Sequence, residues 1–244
     1  MRGVILLLCN ECWMTDTCKK FQKMPETDNC LTKSEYCVKL FKMEKLFDMA
    51  LMPLALRKHL TLSLDSDGSD RSSFLYLRSV EQSVEKFVEN GDNLYIHSET
   101  CGNGKTAWAT RIIQAYLNSI WWKCDLSCKA LFISVPRYLL ALKDNISNAN
   151  EYAKYINANV LKADLVVWDD IATKTATPFE AENLLSLVDT RMNEQKSNIF
   201  TSNLNVTDMN NCMGSRLTSR IVNFSYDIMF VGRDKRSLRS VNNS

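Results

Sequence analysis

What this chain lacks is charge of one sign. Its 30 Lys and Arg stand against 28 Asp and Glu, a formal net charge of only +2 over 244 residues. Bulk attraction for nucleic acid is therefore excluded, and any such binding needs a local basic face. The stretch "GRDKRSLR", Gly232 to Arg239, is one candidate, with a solvated terminus as the alternative. Also missing is a long hydrophobic run, since nothing approaches the roughly 18 apolar residues of a membrane span. The opening "MRGVILLLCNEC" has too short an apolar core for a secretion signal, and no small-residue cleavage site follows it. A cytoplasmic protein with no membrane partner is expected. Internal repeats and long low-complexity segments are absent too, and the acidic run near Asp65 does not follow the order of a calcium loop. What is present is core material. Apolar residues make up 45% of the chain and charged ones 24%, enough for one large α/β domain or one domain with a small appendage.

In a cytosolic chain, nine cysteines argue for thiols and metal ligands rather than a disulfide framework. Five of them, Cys9, Cys12, Cys18, Cys30 and Cys37, fall in the first 37 residues, a segment too polar to fold on its own apolar area. Four thiolates around Zn²⁺ would supply the missing folding energy. The expected set is Cys12, Cys18, Cys30 and Cys37, with Cys9 able to replace one of them; reduced structural cysteines are the alternative. Cys101, Cys124, Cys128 and Cys212 read as small buried hydrophobes.

From Val38 to His59 the apolar residues recur at helical spacing, until Pro53 interrupts. "TLSLDSDGSDRSS", Thr61 to Ser73, reads as a linker. A helix over 74–89 then leads to a strand at Asn93 to His97. Further strands are expected at Ala130 to Ser134, Asp164 to Trp168, Ser197 to Thr201 and Asp227 to Val231, with helical stretches between. That alternation predicts a parallel sheet wrapped by helices, with ligands beyond the carboxyl ends of its strands.

Each of those ends carries chemistry. After the first strand, "LYIHSETCGNGKTAW" nearly fits the phosphate-loop pattern G-x-x-x-x-G-K-S/T, failing only where Glu99 replaces the first glycine. The loop residues Thr100, Cys101, Gly102, Asn103 and Gly104 would turn backbone N–H groups onto phosphates. Lys105 adds a point charge at a helix N-terminus, and Thr106 places a hydroxyl on Mg²⁺. Glu99 must point outward. The bland reading is a glycine-rich turn before an amphipathic helix. "ADLVVWDDIA" ends a strand in Asp169 and Asp170, which strand alternation sends different ways, one to a magnesium shell and one toward a water. Asn203, after "IFTS", can orient an attacking water or simply form a turn. In "GSRLTSRIV", Arg216 and Arg220 share a helical face, suited to a neighbouring subunit's nucleotide or to surface salt bridges. Trp121 and Trp122, followed by Lys123, can stack bases beside a phosphate, or close the helix against the core.

The runs "YIHSETCGNGKTAWA", "LVVWDDIA", "IFTSNLN" and "GSRLTSRI", in that order, resemble the AAA+ ATPases that load replicative helicases, the DnaC and DnaI type, in particular phage-encoded versions. The resemblance covers roughly residues 74 to 239. It implies an α/β AAA+ P-loop fold, a parallel five-stranded sheet flanked by helices, preceded by a small Cys-rich zinc-binding domain. The implied division is 1–60 for the zinc-binding, helicase-contacting domain, 61–73 for the linker and 74–244 for the ATPase. It further implies that Lys105 and Thr106 belong to Walker A, Asp169 and Asp170 to Walker B, and Asn203 to sensor 1. Arg220, or else Arg216, becomes the arginine finger and Arg236 a sensor 2 residue. ATP, Mg²⁺ and Zn²⁺ are the implied cofactors. The implied partners are a DnaB-type helicase, single-stranded DNA and further copies of the chain, in a bacterial or phage-infected cytoplasm.

Two departures bear on rate. Glu99 stands in place of a Walker A glycine, and Asp170 stands where many such enzymes carry Glu, so a slow ATPase is expected that still acts as a switch. The alternatives are an IstB-like transposition helper ATPase and a zinc-dependent DNA-binding adaptor with an inert nucleotide fold. A small-molecule P-loop kinase needs a substrate lid that the chain after Asn203 is too short to supply.

Overall fold

The computed structural model describes residues 23–24, 27–30, 38–57, 62, 68–147 and 149–232. Two short antiparallel strands come first, β1 (Lys23–Met24) and β2 (Thr27–Cys30). Helix α1 spans Val38–Met49. The helical pattern predicted up to His59 stops there, because Leu51 adopts φ 55° and Pro53 precedes a single 3-10 turn, Leu54–Leu56. The helix expected over 74–89 is two, α2 (Arg71–Gln82) and α3 (Val84–Glu89), hinged at Ser83.

From there strands and helices alternate as the pattern requires. β3 (Asn93–His97) leads into α4 (Lys105–Ile120), and β4 (Ala130–Ser134) into α5 (Val135–Ser147) and α6 (Glu151–Asn159). β5 (Leu165–Asp169) leads into α7 (Pro178–Asn193), and β6 (Ser197–Ser202) into α8 (Val206–Met213) and α9 (Ser215–Asn223). β7 (Tyr226–Met229) closes the series. The five strands from β3 onward are all parallel, in the order β4-β5-β6-β3-β7, which is 2-3-4-1-5 by chain order. β6 therefore lies between β3 and β5.

Alternation along the strands divides the apolar residues between two cores. Leu94, Ile96, Phe132, Val167 and Ile199 face α1 to α4, whereas Tyr95, Leu131, Val166, Trp168 and Phe200 face α5 to α9. α1 is part of this body. Met43, Leu46 and Phe47 are buried in the first core, and Ala50 O accepts from Phe132 N at 2.8 Å, pinning the helix end to the edge strand β4. The packed body thus begins by residue 38, ahead of the boundary expected at 74, because the apolar face of α1 has the sheet to bury against. Part of the expected linker is ordered as well: Asp70, buried, accepts from Val231 N and Gly232 N at 2.8 and 3.0 Å. Among the described residues no helix is long and apolar enough to cross a membrane.

Candidate functional site

The strand order brings the carboxyl ends of β3, β5 and β6 side by side, which is where the three polar motifs sit. The loop after β3 is organised from within. Ser98 Oγ accepts from Thr100 N (3.0 Å) and from the Asn103 side-chain amide, both inside the turn. Gly102 and Gly104 adopt φ 76° and 103°, the region that side-chain-bearing residues avoid. A Cβ built on Gly104 meets nothing within 4 Å, so the space beside it is open. Gly104 is also the N-cap of α4, whose first turn carries no side-chain cap, and the positive end of a 16-residue helix faces that space.

Lys105 is only 5% exposed and crosses the loop, donating to Thr100 O at 2.9 Å and Asn103 Oδ1 at 3.1 Å. Cys101 is exposed on the loop, and so is not the buried hydrophobe that composition suggested; Cys128 is buried, Cys124 and Cys212 half-buried. Glu99 points away: its Oε1 accepts from Asn205 Nδ2, just past β6, at 3.3 Å. The side chain in the missing glycine's place is thus held outside the loop.

Thr106 and Asp169 meet across the strands. The Thr106 hydroxyl donates to Asp169 Oδ1 at 2.9 Å, and the Thr201 hydroxyl donates to the same oxygen at 2.8 Å. Burial pushes the Asp169 carboxyl up to about 6. Asp170's charge adds to that rise, and the Thr201 and Thr106 bonds and Lys105 oppose it. Asp170 turns elsewhere, for a reason beyond strand alternation. It lies just past β5 at φ 55°, a left-handed conformation that Asp tolerates, with its N–H bound to Thr201 Oγ1 at 2.9 Å. Its Oδ1 accepts from Asn203 Nδ2 at 3.2 Å, so Asp170 and Asn203 are brought together. Hydroxyl and carboxylate oxygens converging at Thr106 and Asp169 form a donor set that fits a hard divalent cation such as Mg²⁺.

A family model for IstB-like ATP binding proteins matches residues 41–224. The chain belongs to that family.

Among curated relatives of this IstB-like chain, the replicative helicase loader DnaC of Escherichia coli is 27% identical over 146 residues, 59% of this chain and 56% of the relative. The chain spans little more than half the length of that relative. Solved structures share the AAA+-like fold. A DnaC helicase loader superposes with a TM-score of 0.53 at 18% identity, over 76% of this chain and 98% of the other. DnaI superposes at 0.55 and 19%, over 76% and 94%. At these identities the likeness establishes the fold alone.

Of the remaining expected residues in this IstB-like chain, Arg216 and Arg220 share one face of α9 and line an open cleft with Leu185, Asp189 and Phe224. Arg220 Nε lies 2.8 Å from Asp189 Oδ1, and its guanidinium 5.4 Å from the centre of the Phe224 ring. Arg236 and the expected zinc ligands Cys12, Cys18 and Cys37 lie outside the described residues, and of Cys30, the fourth expected ligand, only the backbone, in β2, is described. Three residues of the site escaped the sequence reading: Ser98, which ties the loop, Thr201, which joins the two aspartates, and Asn205, which holds Glu99 away. A Thr near the end of a β-rich run looks like ordinary strand sequence. Only its place between β3 and β5 makes it a hub.

Proposed function

We propose that this chain binds and hydrolyses ATP, slowly, and uses the triphosphate to control its assembly while it places a ring helicase on single-stranded DNA. The observation that carries the nucleotide part is the meeting of Thr106, Asp169 and Thr201 beside the loop capped by Gly104. In this reading the N–H groups of Gly102 to Lys105 hold phosphate oxygens, and Lys105 exchanges its loop acceptors for them. Thr106 and Asp169 hold Mg²⁺, which when bound supplies positive charge against the phosphates. Asp170 accepts a proton from water, with Asn203 fixing its carboxylate. An Asp there reaches one methylene less far than a Glu, consistent with slow turnover. Arg220 or Arg216 reaches a neighbouring subunit's triphosphate, Arg236 reads the bound phosphates from the C-terminal stretch, and the segment ahead of α1 carries zinc on Cys12, Cys18, Cys30 and Cys37 and contacts the helicase.

The family membership favours a second reading, a transposition helper ATPase with the same chemistry and a transposase in place of the helicase. Capture of binding partners on the tagged full chain separates the two. The shared chemistry is tested by ATP turnover with Mg²⁺, with and without single-stranded DNA. Turnover is expected in the wild type and a loss of at least 100-fold in Lys105→Ala, since the transferring phosphoryl group loses its cation. An absence of nucleotide binding in the wild type sinks this proposal.

A further inference from the structure

The corner where β5 ends is gripped from β6. The paired register of the two strands runs from Leu165 opposite Ser197 to Trp168 opposite Phe200. Beyond it Asp170 adopts φ 55° and Ala172 φ 70°, so the chain leaves strand geometry. Thr201 and Ser202 hold it there. Thr201 O accepts from Ile171 N at 2.9 Å, and Ser202 Oγ donates to Ile171 O at 3.1 Å. Asp170 N meets the Thr201 hydroxyl rather than a carbonyl, at 2.9 Å.

Thr201 is fully buried, and its hydroxyl has one proton. The Asp170 N–H can only donate, so it takes a lone pair of Thr201 Oγ1, and the Thr201 proton goes to Asp169 Oδ1 at 2.8 Å. Thr106 gives its own proton to the same carboxylate oxygen, at 2.9 Å, which leaves its lone pairs open to a cation. One side chain therefore fixes two arms. The first is the Asp169 carboxylate, which orients Thr106. The second is the backbone of Asp170, whose Oδ1 accepts from Asn203 Nδ2 at 3.2 Å. A hydrocarbon of the same shape would do neither. It would leave the Asp170 N–H without its acceptor and take one of the two donors from Asp169 Oδ1.

We propose that Thr201 is a positioning residue for ATP hydrolysis, its single hydroxyl setting both the Mg²⁺ affinity of the Thr106 and Asp169 pair and the aim of Asp170 at water. It acts through the two aspartates rather than on the nucleotide itself. The inference rests on the nucleotide reading above. A change at this hydroxyl moves metal affinity and turnover together, while the N–H groups of the loop after β3 keep their hold on the phosphates.

Two measurements on the full chain test it. One is ATP turnover against Mg²⁺ concentration; the other is the rise in melting temperature with ATP over the same titration, which needs no turnover. Thr201→Val keeps the shape and removes the hydroxyl. It is expected to raise the Mg²⁺ requirement in both measurements, and to lower kcat, by about ten-fold each. The KM for ATP at saturating Mg²⁺ should hold, since Lys105 and the loop are untouched. Thr201→Ser keeps the hydroxyl and should stay close to the wild type. A residue that only fills space gives the opposite order, with Val tolerated and Ser harmed. Thr201→Cys, whose thiol is a weaker donor and acceptor, should fall between, and it carries the comparison if the Val variant does not fold. Thr110→Val removes another buried hydroxyl, one with no partner among the described residues, and should behave as the wild type. A folded Val variant, or failing it a Cys variant, with the wild-type Mg²⁺ requirement and kcat overturns the inference and leaves the ATPase reading intact. A wild type that binds no ATP removes that reading and this inference with it.

Discussion

Asp169 shows how burial sets the stability cost of one ionised residue. Its carboxyl is buried, and its folded value of about 6 stands above the ordinary 3.8. The fold therefore favours the protonated form. Its stabilising contribution is complete below 3.8 and is lost as pH rises through about 6, so at neutral pH the ionised side chain costs stability. Asp169→Asn keeps an oxygen for the Thr106 and Thr201 hydroxyls and removes the charge. Its melting temperature without nucleotide should rise by about 5 °C at pH 8 and hardly change at pH 4. The same variant should lose the stabilisation that the wild type gains from ATP and Mg²⁺. A melt at pH 8 that is no higher than the wild type would show that the buried charge carries no such penalty.

At the scale of elements, the helix after β5 is held by its own first turn. Thr177 and Glu180 form a capping box at the start of α7, with Glu180 Oε2 accepting from Thr177 N at 2.7 Å and from its hydroxyl at 2.9 Å. Lys174 lies 3.2 Å from Glu180 Oε1. Burial alone would raise this carboxyl, but the Thr177 bonds and Lys174 outweigh it and hold it at about 2. Its contribution is therefore fully present above the ordinary 4.5 and lost as pH falls toward 2. Thr177→Ala should cost about 1–2 kcal/mol at pH 7, read as a fall of several degrees in melting temperature, and much less near pH 2. An equal loss at both pH values would count against this account of the cap. The sequence pattern located the five strands of the parallel sheet within a residue or two, because each is a short apolar run ended by polar residues, and missed β1 and β2, which are not. It joined α2 and α3 because both carry apolar residues at helical spacing, and Ser83 breaks the helix by leaving helical geometry at φ −118° and ψ 32°. Of the site, Gly102 to Thr106, Asp169, Asp170 and Asn203 were legible because their spacing within each motif is local. Thr201 and Asn205 were not, since their partners lie on segments far away in the chain; Ser98 was not either, although its partners are local, because a serine at a strand end fits no pattern of its own.

For the whole molecule, the role proposed for α9 raises the question of whose nucleotide it would serve. Arg220 pairs with Asp189 within its own chain, and a half-exposed pair of this kind is worth little, so in the proposed role a neighbour's triphosphate would displace it. If Arg220 acts across an interface, Arg220→Ala and Lys105→Ala should each be inactive alone and recover part of the ATP turnover when mixed. The mixture forms some interfaces that pair an intact loop with an intact arginine. Mixtures as inactive as their components would place the arginine's action within one chain.

Local order in the chain was enough to determine the alternating strands and helices, the glycine-rich loop after β3 and the two aspartates at the end of β5, because backbone preference and polar termination act over a few residues. Tertiary structure decided the rest. Inserting β6 between β3 and β5 brought Thr106 and Thr201 within hydrogen-bond distance of Asp169, and packing α1 onto the sheet set Lys39 over Trp121 and Lys42 on Cys124 O. Both depend on contacts between segments far apart in the chain, where no local pattern carries the information.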